Sequence, residues 1–146
     1  MIDDLVVTGS IDVHADASKV WDALTRPEII KEYLFGTETV TDWKVGSEVV
    51  FQGVYGENGE HSYRDKGVVK ENVFHERLSY TYWSGFSGLE DKPENYSLVT
   101  YSLVPKGDNL THFTWTQEGY VNQEGYEHSQ SGMPAFLDQI KAIMER

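Results

Sequence analysis

The sequence predicts an α+β fold in which a curved antiparallel sheet of six or seven strands surrounds one long C-terminal helix. The first observation is that apolar residues recur at three- and four-residue steps over residues 132–146, which indicates an amphipathic helix. The second is that residues 38–118 alternate strand signals with turn signals. Short loops between successive strands favour antiparallel pairing, so the apolar face of the helix must lie against the inner surface of the sheet.

The N-terminal part of the chain predicts one strand followed by two short helices. β-Branched residues in a largely alternating pattern predict a strand from Leu5 to His14. Asp16 stands where a helix N-cap is needed, ahead of a predicted helix over Ala17–Leu24. Pro27 then interrupts the helical pattern but suits a new first turn, so a second helix is predicted over Glu28–Leu34.

The middle of the chain predicts a meander of strands. Clusters of Gly, Pro, Asn and Asp separate the strand patterns, and Pro105–Asn109 is a typical hairpin turn. Ser84–Asn95 is predicted to be a loop, and Tyr120–Gln130 a polar connection to the final helix. The predicted strands are Glu38–Trp43, Glu48–Tyr55, His61–Val73, Leu78–Trp83, Tyr96–Val104 and Leu110–Glu118.

Composition restricts the chemistry that the chain can perform. Its 146 residues, 39% of them hydrophobic, suit one globular domain over residues 1–146. The acidic N-terminus is unlike a secretory signal and no stretch has the length of a membrane span, so a cytoplasmic location is expected. The absence of cysteine excludes disulfides, thiolate nucleophiles and cysteine-ligated zinc. The five histidines form no HxH or HExxH motif, so no metal or cofactor is predicted.

The net charge of −12 argues against two classes of partner. A field of this sign repels phosphate backbones and anionic lipid surfaces, so neither nucleic acid nor membrane is an expected partner. The few basic residues are scattered along the chain. An acidic surface is compatible with a basic protein partner, although solubility alone is the simpler interpretation.

Four short motifs occur in order across the chain: Val20–Glu28, Val45–Phe51, Glu76–Trp83 and Gly132–Pro134. Together with Tyr33-Leu34-Phe35, they resemble the motifs of the Hsp90 ATPase activator homologue family, part of the START/Bet v 1-like (SRPBCC) superfamily. The resemblance implies the helix-grip fold, in which a bent sheet closes around the last helix. It also implies a chaperone as a partner.

The chain departs from the family pattern at two positions. Gln117 stands where many relatives carry histidine, and Met133 where they often carry tryptophan. A chemical role of that histidine in relatives would therefore be lost in this chain.

Aromatic side chains dominate the face of the sheet that is predicted to meet the final helix. Tyrosine and tryptophan combine apolar rings with polar tips, which suits a pocket for a small hydrophobic or amphipathic molecule. For each residue taken alone, filling of the core is the alternative. The predicted ligand-binding residues are Tyr33, Trp43, Phe51, Tyr80, Tyr82, Tyr101, Phe113, Trp115, Gln117, Met133, Phe136, Leu137 and Ile140.

Three functions remain open at this stage. Binding of a small molecule between sheet and helix is the first, and a chaperone-associated interaction module is the second. The third is a cyclase- or hydrolase-type enzyme, which only fold analogy supports and for which no catalytic residue is predicted. Such an enzyme needs a buried carboxylate or histidine with a neighbouring partner on the cavity wall. A wall whose polar groups are only Gln117 and tyrosines would argue against it.

Overall fold

The structure is a computed structural model and describes residues 5–34 and 36–146, without the side chain of Phe86. Residues 1–4, which include Asp3 and Asp4, and Phe35 of the Tyr33-Leu34-Phe35 motif lie outside the described residues. Within the described part, the element order matches the prediction. The strands are β1 (Val6–Val13), β2 (Glu38–Val40), β3 (Glu48–Tyr55), β4 (His61–Val73), β5 (Arg77–Tyr82), β6 (Ser97–Gly107) and β7 (Leu110–Glu118), and the helices are α1 (Ala17–Thr25), α2 (Pro27–Tyr33) and α3 (Gln123–Met144).

The described strands form one antiparallel sheet in the order β1-β7-β6-β5-β4-β3-β2. Strands β2 to β7 are therefore a meander, and β1 closes the far edge beside β7. Register shifts between Val69 and Glu71 and between Pro105 and Gly107 interrupt the ladders. Such irregularities increase the local twist, which bends the sheet around α3. The predicted curved antiparallel sheet and C-terminal helix are confirmed.

Capping residues set the boundary between α1 and α2. The side chain of Asp16 accepts a hydrogen bond from the backbone N–H of Lys19 at 3.0 Å, as the predicted N-cap requires. The N–H of Arg26 donates to the carbonyl of Asp22 at 2.9 Å and ends α1. Pro27 is the first residue of α2, where its missing N–H is not needed.

Strand β2 is shorter than predicted, because the chain leaves the sheet after Val40. Trp43 has a φ of 61°, which lies in the left-handed region and is incompatible with a strand. Two hydrogen bonds hold this conformation. The indole Nε1 of Trp43 donates to the carbonyl of Thr25 at 2.8 Å, and the amide of Asn72 donates to the carbonyl of Trp43 at 2.9 Å.

Helix α3 begins nine residues earlier than predicted, at Gln123 in place of Gly132. The side chain of Asn122 accepts a hydrogen bond from the N–H of Gly125 at 2.8 Å, which starts the helix. The first turns are polar because one side of them faces solvent, and their glycines resemble turn signals. The predicted polar connection over Tyr120–Gln130 was therefore mostly wrong.

The C-terminal half of α3 packs closely against β1. Met133, Leu137 and Ile140 are buried, with Ile140 fully inaccessible to solvent. A methyl group on Gly9 of β1 would lie 2.7 Å from Leu137 Cδ1 and 3.0 Å from Met133 Cγ, so these side chains would have to shift to admit it. In the described part of the chain, no helix combines the length and apolarity that a membrane span requires.

Candidate ligand-binding cavity

A cavity of about 810 Å³ lies between the first turns of α3 and the inner face of the sheet. The end of α2, strands β3 to β7 and the segment between β5 and β6 complete its wall. That segment, predicted to be a loop, contains two short 3₁₀ turns at Gly85–Ser87 and Pro93–Asn95. The volume falls within the range of small-molecule sites in proteins.

Eight of the thirteen predicted site residues line this cavity. The positions of five of them follow from strand alternation, which directs every second side chain of β5, β6 and β7 to the inner face, and the other three lie on α2, β3 and α3. These eight are Tyr33, Phe51, Tyr80, Tyr82, Tyr101, Trp115, Gln117 and Phe136.

The other five predicted residues, Trp43, Phe113, Met133, Leu137 and Ile140, do not line the cavity. Phe113 is fully buried in the core, and the three helix residues seal the core on the side of β1. Because α3 starts earlier than predicted, its first turns and Phe136 cover the cavity, whereas Met133, Leu137 and Ile140 lie beyond it. The ring centroid of Trp43 lies 6.2 Å from that of Tyr80, with the indole N–H directed to Thr25.

Three tyrosine hydroxyls beneath the helix are already paired within the protein. The hydroxyls of Tyr80 and Tyr101 lie 2.8 Å apart, and that of Tyr33 donates to the carbonyl of Ala23 at 2.8 Å. Burial raises the pKa of Tyr33 and of Tyr80 well above the usual tyrosine value. Burial also raises the pKa of Tyr101 to about 12, against the opposing effect of its bond to Tyr80. These groups are therefore neutral near pH 7.

Gln117 is held by a short chain of hydrogen bonds. Its Nε2 donates to Ser97 Oγ at 2.8 Å, and Ser97 Oγ donates to the carbonyl of Tyr82 at 3.3 Å. Both Gln117 and Ser97 are buried and lie on the cavity wall. The amide at position 117 is thus fixed in orientation rather than free to rotate.

Asp65 on β4 is the most informative wall residue that the sequence interpretation missed. It is 91% buried, and its Oδ2 accepts a hydrogen bond from the hydroxyl of Tyr82 at 2.8 Å. Its Oδ1 accepts from the N–H of Gly85 at 3.2 Å. One signal was available: Asp65 shares the inward positions of β4 with Gly67 and Val69, where an acid is unusual.

Trp115 places a second unusual polar group beneath α3. Its Nε1 is buried and meets no hydrogen-bond acceptor among the described residues. The indole ring packs on Phe136 of α3, with ring centroids 4.9 Å apart. A buried donor without an acceptor costs stability, so this indole N–H is an unfavourable feature of the interior.

The described residues contain no group of three or more histidine, aspartate or glutamate side chains arranged to hold a metal ion. His128 of α3 lines the cavity but is exposed. The wall combines aromatic rings, paired hydroxyls, one fixed amide and one buried carboxylate. Its chemistry therefore suits recognition of a molecule with an apolar body and a polar end.

Comparison with known proteins identifies the family. The sequence model described as "Activator of Hsp90 ATPase homolog 1-like protein" matches residues 14–145. The chain belongs to this family. Among curated proteins, no sequence matches it significantly.

Solved structures of similar proteins share the fold of this family member. A protein from Cytophaga hutchinsonii is 34% identical, with a TM-score of 0.79 over 97% of this chain and 94% of its own. An HSP90 activator from Plasmodium falciparum is 17% identical, with a TM-score of 0.74 over 96% of both chains. The Aha1 dimer from Colwellia psychrerythraea is 16% identical, with a TM-score of 0.72 over 99% of this chain and 97% of its own.

The family match confirms the resemblance that the motifs indicated. It covers the first motif, Val20–Glu28, and the last, Gly132–Pro134. In this member of the activator homolog family, the Gly-Met-Pro motif lies within α3, whereas the sequence placed the start of the helix there.

Proposed function

We propose that this protein binds a small amphipathic molecule in the cavity beneath α3. The single observation that carries the proposal is a space of about 810 Å³ whose wall is aromatic but includes a few fixed polar groups. Side chains that only formed a core would be expected to fill this space, because protein interiors are packed to high density.

A cavity-filling variant tests this proposal. Val99 lines the cavity and is 3% exposed, so Val99→Phe places a ring in the space that a ligand needs. Naphthylethanol, a neutral amphipathic probe, is titrated while the indole N–H signals of Trp83 and Trp115 are followed by NMR. We expect binding to the wild type and weakening of about tenfold or more in Val99→Phe, equivalent to about 1.4 kcal/mol.

The matched control lies on the same strand. Val104 is 51% exposed and lies outside the cavity wall, so Val104→Phe adds the same ring without filling the space. This variant is expected to bind the probe as the wild type does. Equal binding by all three proteins would contradict a ligand site beneath α3, and so would failure of the wild type to bind neutral and charged amphipathic probes alike. Native mass spectrometry of protein from its own host then identifies the natural ligand.

A chaperone-associated role is the second candidate, because of the family to which the chain belongs. One structural relative is described as an HSP90 activator. The net charge of −12 suits docking on a basic surface of a chaperone. Purified Hsp90 is mixed with the wild type and with Val99→Phe, and ATP hydrolysis is measured. Equal stimulation by both proteins would support a role that is independent of the cavity, and no stimulation would argue against this candidate.

One feature that an enzyme would need is present in the cavity wall, but no catalytic mechanism follows from it. Asp65 and Tyr82 provide the carboxylate and neighbouring partner that it requires. Burial, followed by the charge of Asp65, raises the pKa of Tyr82 far above the usual tyrosine value, so its proton is held firmly. A tyrosine that holds its proton this firmly is not a ready general acid near pH 7. The cytoplasmic location predicted from the sequence stays a prediction.

A further inference from the structure

The buried carboxylate of Asp65 has no positively charged partner in the described part of the chain. The neighbouring Lys66 is engaged elsewhere, with its Nζ 2.5 Å from Asp91 Oδ2. Among the described residues that line the cavity there is no lysine or arginine. Buried carboxylates in proteins are usually paired with a cation, because removal of a charge from water is costly.

The carboxylate has unused capacity to accept hydrogen bonds. Its two oxygens offer about four lone-pair positions, and among the described residues Tyr82 and Gly85 occupy two of them. Phe51 lies directly opposite Asp65 in the β3–β4 register, and both side chains are buried on the inner face. The ring centroids of Phe51 and Tyr82 lie 6.2 Å apart. Aromatic rings beside a carboxylate favour a cation that also has apolar parts.

We propose that Asp65 binds the ammonium group of the ligand, so that the cavity selects amphipathic amines over neutral and anionic molecules of the same shape. This inference rests on the proposed function, since it names the class of ligand for the same cavity. The ammonium group would donate hydrogen bonds to the unused lone pairs of Asp65, while the apolar body of the ligand lies against Phe51, Tyr82 and Trp115. The net charge of −12 also raises the local concentration of cations at the protein.

Three probes of matched shape test the proposed selectivity: naphthylethylamine, naphthylethanol and naphthylacetate. Each is titrated into the intact protein, with the indole N–H signals of Trp83 and Trp115 followed by NMR. We expect the amine to bind about tenfold to hundredfold more tightly than the alcohol, as a hydrogen bond to a charged group provides. The acetate is expected to bind most weakly, because its charge repels that of Asp65.

Two variants assign this selectivity to one residue. Asp65→Asn keeps the size of the side chain and its acceptor for Gly85, and it is expected to bind the amine no better than the alcohol. Glu118→Gln removes the same charge from an exposed position outside the cavity wall, and it should keep the full preference for the amine. Tyr82→Phe frees a lone pair of Asp65 but keeps its charge, so it should also prefer the amine.

The outcomes separate this inference from the proposed function. Equal affinity of the wild type for amine and alcohol overturns the role of Asp65 but leaves a ligand cavity in place. An amine preference that survives in Asp65→Asn, or that is lost equally in Glu118→Gln, also overturns it. Absence of binding by all three probes overturns both proposals. Even where Asp65→Asn fails to fold, equal affinity of the wild type for amine and alcohol, or loss of the preference in Glu118→Gln, overturns the inference.

Discussion

Individual tyrosines give the interior of this protein its chemical character. Tyr33, Tyr80 and Tyr101 are each less than one-tenth exposed, and each hydroxyl has a partner inside the protein. Such groups satisfy their own hydrogen bonds and present neutral rings to the cavity. In the proposed ligand site, recognition of charge is therefore assigned to Asp65.

Alkaline pH should unfold the protein through these tyrosines. Burial raises the pKa of Tyr33, Tyr80 and Tyr101 above the ordinary value of 10.0, so above pH 10 the unfolded chain loses protons that the folded chain keeps. Stability is thus fully present below that pH and falls above it, by about 1.4 kcal/mol per pH unit for each tyrosine. Urea unfolding at a series of pH values measures the slope.

The matched control is Tyr101→Phe, which removes one of the titrating groups. Its stability should fall less steeply above pH 10 than that of the wild type. Tyrosinate absorbance of the native protein near pH 10 provides a second check. Complete ionisation of all tyrosines before unfolding would show that these three are accessible to solvent, contrary to the structure.

At the residue scale, the aromatic residues of the cavity wall were predicted from the sequence, but its buried carboxylate, Asp65, was not. Alternation on β5, β6 and β7 is regular, so the inward positions of Tyr80, Tyr101 and Trp115 could be read directly. Asp65 was missed, although it alternates with Gly67 and Val69, because β4 is long and polar and its register changes near Val69. Whether a carboxylate on such a strand faces water or a cavity depends on that register.

At the scale of single elements, one glycine lets β4 and β5 approach where their pairing becomes irregular. A methyl group on Gly67 would lie 1.5 Å from the carbonyl oxygen of Thr81, well inside any allowed contact. Beside it, the N–H of Val68 donates to Thr81 Oγ1 at 2.9 Å in place of a backbone acceptor. Gly67 therefore permits the close approach of two strands beside the cavity.

Gly67→Ala should therefore destabilise the protein by about 3 kcal/mol or more, because backbone atoms must move to admit the methyl group. Gly85→Ala is the control, since nothing lies within 4 Å of a methyl group at that position. It should change the free energy of unfolding by about 0.5 kcal/mol at most. Urea denaturation of both variants measures the difference. Equal stability would mean that the strands do not approach closely at Gly67.

A glycine-to-alanine substitution also tests whether α3 begins at Gln123, earlier than the sequence predicted. Gly132 lies inside the helix, exposed, with nothing within 4 Å of an added methyl group. Gly132→Ala should raise the free energy of unfolding by about 1 kcal/mol, the usual difference between glycine and alanine within a helix. Thermal unfolding measures the gain.

Gly125→Ala provides the comparison within the same helix. A methyl group there would lie 3.2 Å from Asn122 Oδ1, the cap of the helix, so the gain should be smaller. Destabilisation by Gly132→Ala would instead indicate that Gly132 ends a turn, as the sequence interpretation assumed. The early start of α3 was missed because the polar residues 123–131 show little apolar periodicity.

For the whole molecule, the order of elements and a cavity between the sheet and the last helix were predicted, but the position of the cavity along α3 was not. Turn residues and alternation define the meander, and the family motifs then indicate a sheet closed around the last helix. Whether a cavity forms depends on where the side chains of helix and sheet no longer fill the space between them. Here the first turns of α3 stand over β5 to β7, while its later residues fill the core against β1.

Intermolecular NOEs from bound naphthylethylamine test the central claim most directly, since they locate the ligand within the fold. The account predicts contacts from the naphthyl protons to the side chains of Val99, Trp115 and Phe136, which surround the cavity. Contacts confined to exposed side chains such as Phe74 or Val54 would contradict it. In that case the space beneath α3 would not be a binding site.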